Sequence, residues 1–233
     1  METISHPPAR VELLATVAHE LRNPLAAIQA AIRILDTHEP ASPRRQEARA
    51  LIDRQVMQIV RLSDDLLDAG YLASGKPEIR REPTDLRDLV HAATETCRPQ
   101  VEAGHFAMVV SLPPHPVMIE ADPMRITQVL INLLDNAVKF SEPYGMIFIG
   151  IEDSPGAVSV RFVDHGIGIA ADMLPRIFDP FVQAEAPRIK SSRGIGIGLN
   201  VVKRIVELHR GTVQAYSAGP ALGSTFTVRL PRH

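Results

Sequence analysis

Apolar residues recur at three- and four-residue steps through Val11, Leu14, Val17, Leu21, Leu25, Ile28, Ile32 and Leu35. This is the period of an amphipathic helix beginning near Arg10. The pattern breaks across Asp36–Pro43, a polar stretch holding Pro40 and Pro43. It resumes through Ala48, Ile52, Val56, Ile59, Leu62, Leu66 and Ala69, and Gly70 and Gly75 are expected to close it. Two helices joined by so short a turn make a hairpin. One hairpin alone leaves much of its apolar stripe in water, whereas two hairpins joined as a four-helix bundle bury it, so the pattern predicts a homodimer. Residues 1–9, with Pro7 and Pro8, read as a lead-in.

Beyond Lys76-Pro77 the pattern becomes mixed. Strands are predicted at Ile79–Arg81, Phe106–Leu112, Val117–Glu120, Met146–Glu152, Val158–Val163, Thr212–Ser217 and Ser224–Leu230. Helices are predicted over Asp85–Val101, from Asp122-Pro123 to about Phe140, and over Gly198–His209. Asp122 is suited to cap the second of these, with Pro123 in its first turn. Interleaved helices and hairpin-like strands indicate an α+β sandwich.

Composition narrows the function. The 25 Lys and Arg against 27 Asp and Glu give a formal net charge of −2, with no basic excess for nucleic acid or an anionic membrane. Aromatics are only 4% and Trp is absent, which argues against a stacking platform for single strands. Cys97 is the single cysteine, so no internal disulfide framework exists. No apolar run is long enough to cross a bilayer or serve as a secretory leader, so a soluble chain in the cytoplasm is expected, without direct membrane insertion.

Four segments carry candidate chemistry. His19-Glu20-Leu-Arg-Asn23-Pro24 sits inside the first helical period, with His19 off the apolar stripe. A neutral imidazole is nucleophilic, and the adjacent Glu20 can take the ring proton or orient the ring. Asn23 lies one turn on, while Pro24 costs helix stability and should bend the helix. In Asn132-Leu-Leu-Asp-Asn136-Ala-Val-Lys139-Phe140 the two asparagines leave one helix face. Their carbonyl oxygens are hard ligands for Mg²⁺, and Lys139 lies within reach of a phosphate. Asp164-His-Gly166-Ile-Gly168-Ile169 follows a strand; its carboxylate can accept a hydrogen bond from an adenine amino group. Arg193-Gly194-Ile-Gly196-Ile-Gly198-Leu199 runs into the last helix, whose N-terminus suits phosphate. Taken singly, each segment is equally at home as a solvated histidine, a polar helix stripe or a tight glycine turn.

In this order and spacing the four segments resemble the H, N, G1 and G2 boxes of sensor histidine kinases. Ile177-Phe178-Asp179-Pro180-Phe181 resembles the F box, and Gly223-Ser-Thr-Phe226 the terminal glycine motif. The resemblance implies a dimerisation and phosphotransfer hairpin over residues 10–76 and an ATP-binding domain over 77–233, of the fold shared with gyrase, Hsp90 and MutL. It places the phosphoacceptor on His19, the acid/base carboxylate on Glu20 and the water-positioning residue for phosphatase action on Asn23. The Mg²⁺ ligand falls on Asn136, with Asn132 and Lys139 near the phosphates of ATP and Phe140 among the nucleotide-binding residues. Adenine falls to Asp164, followed by Gly166, Gly168 and Ile169; Arg193, Gly194, Gly196, Gly198 and Leu199 fall in the lid and its hinge. A response-regulator receiver domain and a sensory domain or protein outside this chain are the implied partners. Two positions depart from the pattern: Gln183 stands where many members have Arg, and Asn200 where a small residue is commoner. A clamp-type ATPase and a degenerate kinase acting as a scaffold are the competing readings, and His91 and His209 are rival acceptors.

Overall fold

A computed structural model describes residues 8–37, 39, 42–73, 79–182 and 196–232. Helices α1 (Pro8–Thr37) and α2 (Pro43–Ala73) form the antiparallel hairpin. Helix α1 runs on through Pro24, which is buried, and Ala31 and Ala48 fill the contact between the helices at 0% and 2% exposure. Small residues here let the two backbones approach. The guanidinium of Arg45 donates to the carbonyl of Leu35 and ties the turn together. Gly70 does not end α2 as expected; the helix continues to Ala73, and Gly70 is an exposed helical position with open space around it. Leu25, Ile32, Val56, Met57 and Val60 of this hairpin remain between 44% and 55% exposed.

The second region contains β1 (Glu82–Asp85), α3 (Leu86–Ala103), β2 (Ala107–Ser111), β3 (Met118–Ala121), α4 (Pro123–Phe140), β4 (Met146–Ser154), β5 (Ala157–Asp164), α5 (Gly198–Leu208), β6 (Thr212–Tyr216) and β7 (Ser224–Pro231). Five strands form one sheet in the order β2-β4-β5-β7-β6. The β2–β4 pair is parallel and the others are antiparallel. Along β5 and β7 burial alternates: Val158, Val160, Phe162, Phe226, Val228 and Leu230 point into the core, while Arg161 and Arg229 face water. Helices α3, α4 and α5 contribute Leu86, Val90, Ile126, Leu130, Leu133, Leu134 and Ile205 to the same core. The result is a two-layer sandwich covered on one face only. Leu62 of α2 joins this core cluster, and α2 touches α5.

The first strand differs from expectation. Residues Ile79–Arg81 are not a strand; β1 starts at Glu82 and pairs antiparallel with β3, Asp85 opposite Met118. The preceding residues instead dock on helix ends: the Arg80 N–H donates to Asp122 Oδ2 at 3.1 Å and Arg81 Nη2 to the Leu208 carbonyl at 2.6 Å. Pro83 is tolerated because β1 belongs to a two-stranded sheet with a free edge.

Asp85 locks β1, α3 and β3 together. It caps α3 by accepting from the Arg87 N–H at 3.1 Å, accepts from the Val117 N–H at 3.0 Å, and pairs with Arg87 Nη2 at 2.7 Å. The Arg87 side chain, helped by these backbone donors, holds the Asp85 carboxyl down at about 2 against burial, which acts the other way. A depressed carboxyl pKa stabilises the fold above the unfolded value, and that stabilisation disappears as pH falls from about 4 towards 2. Asp85→Asn is expected to lower the unfolding free energy by about 2 kcal/mol at pH 7. Urea unfolding should show the gap to wild type closing below pH 3; an unchanged gap at pH 2 would refute the ion-pair account.

Candidate functional site

The candidate site gathers where β5, the C-terminus of α4 and the start of α5 meet. Asp164 ends β5 opposite Ser224, the first residue of β7, and is 6% exposed. Its Oδ1 accepts from the Gly166 N–H at 2.9 Å and the Ser224 N–H at 3.2 Å, while its Oδ2 accepts from the Ser224 hydroxyl. A carboxylate has about four acceptor positions, so these three bonds hold it rigidly and leave one on Oδ2.

Gly166 and Gly168 are needed for close approach. A Cβ on Gly166 would lie 2.0 Å from the Phe140 carbonyl, and one on Gly168 (φ 66°) would lie 2.1 Å from the Gly219 carbonyl. Through this approach the last carbonyl of α4, on Phe140, accepts from the Ile167 N–H at 3.0 Å. A helix-end carbonyl is thereby satisfied, and α4 is fixed to the turn after β5. On the other side the Ile169 N–H donates to Ser217 Oγ at 3.0 Å, and the Gly223 N–H to the Gly166 carbonyl at 3.1 Å. Ser217 and Ser224 thus support the Asp164 turn from the strand pair β6–β7.

Helix α4 is capped by Asp122 Oδ1 accepting from the Arg125 N–H at 3.1 Å, with Pro123 in its first turn as expected. Its apolar face, from Ile126 to Ala137, is buried in the core, and Asn132 and Asn136 are half-buried one turn apart. Asn132 Nδ2 lies 3.5 Å from the Gly198 carbonyl, a long contact reaching the first residue of α5. The ammonium of Lys139 lies 5.0 Å from the ring centre of Phe140. Asn136 therefore shares one helix with a side chain that touches α5 and a carbonyl that touches the Asp164 turn. As a neutral oxygen donor it fits Mg²⁺ held mainly by phosphates and water, because Mg²⁺ takes few protein oxygens when phosphates are present.

Helix α5 starts at Gly198 after Ile197, which has no side chain able to cap it. Its first-turn N–H groups therefore lack both intrahelical acceptors and a side-chain cap at that position. Gly196 (φ 76°) and Phe181 (φ 67°) both adopt the left-handed region. The Phe181 N–H donates to the Gly196 carbonyl at 2.9 Å. Leu199 is half-buried in the first turn. Arg193 and Gly194, like Gln183, Arg188 and Lys190, lie outside the described residues.

On the hairpin, His19 lies within α1, but its side chain lies outside what is described, so its expected exposed orientation has no counterpart here. Glu20 is buried at 8% exposure, which the sequence pattern did not anticipate, and Asn23 is exposed. Of the rival acceptors, His209 is 4% exposed with both ring nitrogens engaged. Its Nε2 accepts from the Asp122 N–H at 3.0 Å and its Nδ1 faces the Ile205 carbonyl at 2.8 Å. Burial pushes its pKa down, so the ring is a neutral structural link between α4 and α5. His91 is exposed on α3.

Two family models match parts of the chain. Residues 9–75 match the family model "His Kinase A (phospho-acceptor) domain". Residues 121–233 match "Histidine kinase-, DNA gyrase B-, and HSP90-like ATPase". The circadian input-output histidine kinase CikA of Synechococcus elongatus is 32% identical over 227 residues, spanning 96% of this chain and 30% of its own. The sensor histidine kinase RcsC of Escherichia coli is 32% identical over 219 residues, spanning 94% of this chain and 23% of its own. The chain thus spans less than a third of the length of these curated relatives. The crystal structure of full-length ShkA in complex with AMPPNP is 28% identical and superposes with a TM-score of 0.68, over 94% of this chain and 45% of ShkA. Among the described residues, no helix is long and apolar enough to cross a membrane.

Proposed function

Because the chain belongs to the histidine kinases, with a phosphoacceptor hairpin followed by their ATPase domain, we propose that it autophosphorylates His19 from Mg-ATP and passes the phosphoryl group to a response-regulator aspartate. Residues 10–76 are the acceptor unit and 77–233 the ATP-binding unit. The observation that carries this reading is the Asp164 carboxylate, buried and held by three protein donors, with one acceptor position left for an exocyclic amine. The ShkA structure, similar in sequence and fold, was solved with an ATP analogue.

Each group then has a task. Asp164 holds adenine, while the turn of Gly166, Gly168 and Ile169 forms the wall beside it. The first turn of α5, at Gly198 and Leu199, meets the phosphates with its N–H groups and the positive end of its dipole. Asn132 and Lys139 lie along the phosphates, with Phe140 anchoring the helix end, and Gly196 shapes the approach to α5. Arg193 and Gly194 keep the lid assignment that the family resemblance gives them. The amide oxygen of Asn136 takes one position on Mg²⁺, which neutralises phosphate charge. One imidazole nitrogen of His19 attacks the γ-phosphorus: a P–N bond forms, the bond to the β-phosphate oxygen breaks, and ADP leaves. The proton on the other ring nitrogen passes to Glu20, the next residue along α1. Asn23, exposed one turn away, holds water against an aspartyl phosphate when the kinase acts as a phosphatase. Two copies associate through the hairpin, because Leu25, Ile32, Val56, Met57 and Val60 stay in water in a single chain.

Incubation with [γ-³²P]ATP and Mg²⁺ tests the reading. Label on the protein that survives base but not acid is expected. ATP hydrolysis without protein label would instead support a clamp-type ATPase, and neither label nor hydrolysis a scaffold.

A further inference from the structure

Asn200 stands where the family resemblance leads one to expect a small residue, and the structure gives it a specific partner. In the first turn of α5, its Nδ2 donates to the Phe178 carbonyl at 3.0 Å, rather than folding back on its own helix. Phe178 is itself fixed. Its ring meets Phe226 of β7 edge-on at 6.4 Å and 87°, and its neighbour Ile177 is 9% exposed. Three residues on, the Phe181 N–H donates to the Gly196 carbonyl at 2.9 Å. Gly196 cannot be replaced cheaply there: its φ is 76°, and a Cβ would come within 2.8 Å of the Val182 carbonyl. Two hydrogen bonds therefore join residues 178–181 to the start of α5, and one of them depends on a side chain that alanine or serine at position 200 could not reproduce.

We propose that Asn200 is a positioning residue for the triphosphate. By holding the Phe178 carbonyl it sets the direction of the first turn of α5, whose uncapped N–H groups bind the phosphates. Asn200 itself need not touch the nucleotide. The inference rests on the ATP reading above and assigns Asn200 a part in setting phosphate affinity. A side chain that merely stabilised the domain would weaken every nucleotide equally once lost. A side chain that aims the phosphate-binding turn affects ligands in proportion to the phosphates they carry.

The test uses the full chain. Asn200→Ala is expected to raise the KM for ATP by about three- to tenfold, the range of one lost neutral hydrogen bond, with kcat within about twofold. Titration calorimetry should show the same loss for Mg-AMPPNP, while AMP affinity changes by less than about twofold. Asn200→Gln, which keeps the amide donor, is expected to recover most of the loss. Equal losses for AMP and AMPPNP, an unchanged KM, or no recovery by Asn200→Gln would overturn the proposal. Failure of the wild-type chain itself to bind AMPPNP would overturn the ATP reading, and the proposal with it.

Discussion

Changing His19 to glutamine is expected to abolish phosphohistidine formation, by at least about 10³-fold, because the reaction loses its nucleophile outright. Affinity for Mg-AMPPNP should stay within about twofold of wild type, since a polar side chain of similar length leaves the binding groups untouched. All the proposed nucleotide contacts lie beyond Lys76. The sharper content concerns the rival histidines. His209 cannot take over: it is 4% exposed, and its ring already spans the Asp122 N–H and the Ile205 carbonyl. Phosphorylating it would break the link between α4 and α5 and place a dianion in the core. His91 is exposed on α3 and has no such bar. Phosphopeptide mapping of His19→Gln therefore decides the assignment. An empty map supports His19, and label on His91 moves the acceptor to α3.

Much of this molecule was legible before its structure. The hairpin, α4 with its Asp122 cap, and the two sheet hairpins β4–β5 and β6–β7 follow from apolar periods long enough to outweigh local ambiguity. Local pattern gave no access to what depends on distant partners. The strand expected at Ile79–Arg81 is displaced because β3 sets the register, and nothing between Ile79 and Asp85 encodes that choice. The parallel pairing of β2 with β4 likewise joins residues nearly forty positions apart. Gly70 reads as a stop, yet an exposed position in a helix held elsewhere by packing tolerates one glycine at a cost of about 1 kcal/mol.

The site shows the same limit. Asp164, Gly166, Gly168 and the two asparagines are proposed from the order and spacing of their motifs, but Ser217, which supports the Asp164 turn from behind, carries no signal beyond being a serine at the end of a predicted strand. Ser224 lay within a recognised glycine motif, but its bond to a residue sixty positions earlier did not. Burial of Glu20 was also hidden, because a glutamate beside a histidine on a helix reads as solvated.

Those hidden bonds make Asp164→Asn the most informative change in the nucleotide site. Asparagine keeps one oxygen to accept from the Gly166 and Ser224 N–H groups, and its amide can donate to the Ser224 hydroxyl, which rotates to accept. The turn should therefore survive, with a loss of about 1 kcal/mol in unfolding free energy. Ligand recognition is a different matter. The remaining acceptor of Asp164 becomes an N–H donor, which opposes the amino group of adenine. Losing a charge-assisted hydrogen bond costs about 1.5–3 kcal/mol, so ATP affinity is expected to fall by about 10- to 100-fold or more. Guanine presents a carbonyl oxygen at the corresponding ring position, and an N–H donor suits it better than a carboxylate does. The ratio of ATP to GTP affinity should then drop further than ATP affinity alone. Calorimetric titration with Mg-AMPPNP and Mg-GMPPNP measures both quantities on one protein. If Asp164 serves only to hold its turn, both nucleotides weaken together and the preference for adenine stays where it was.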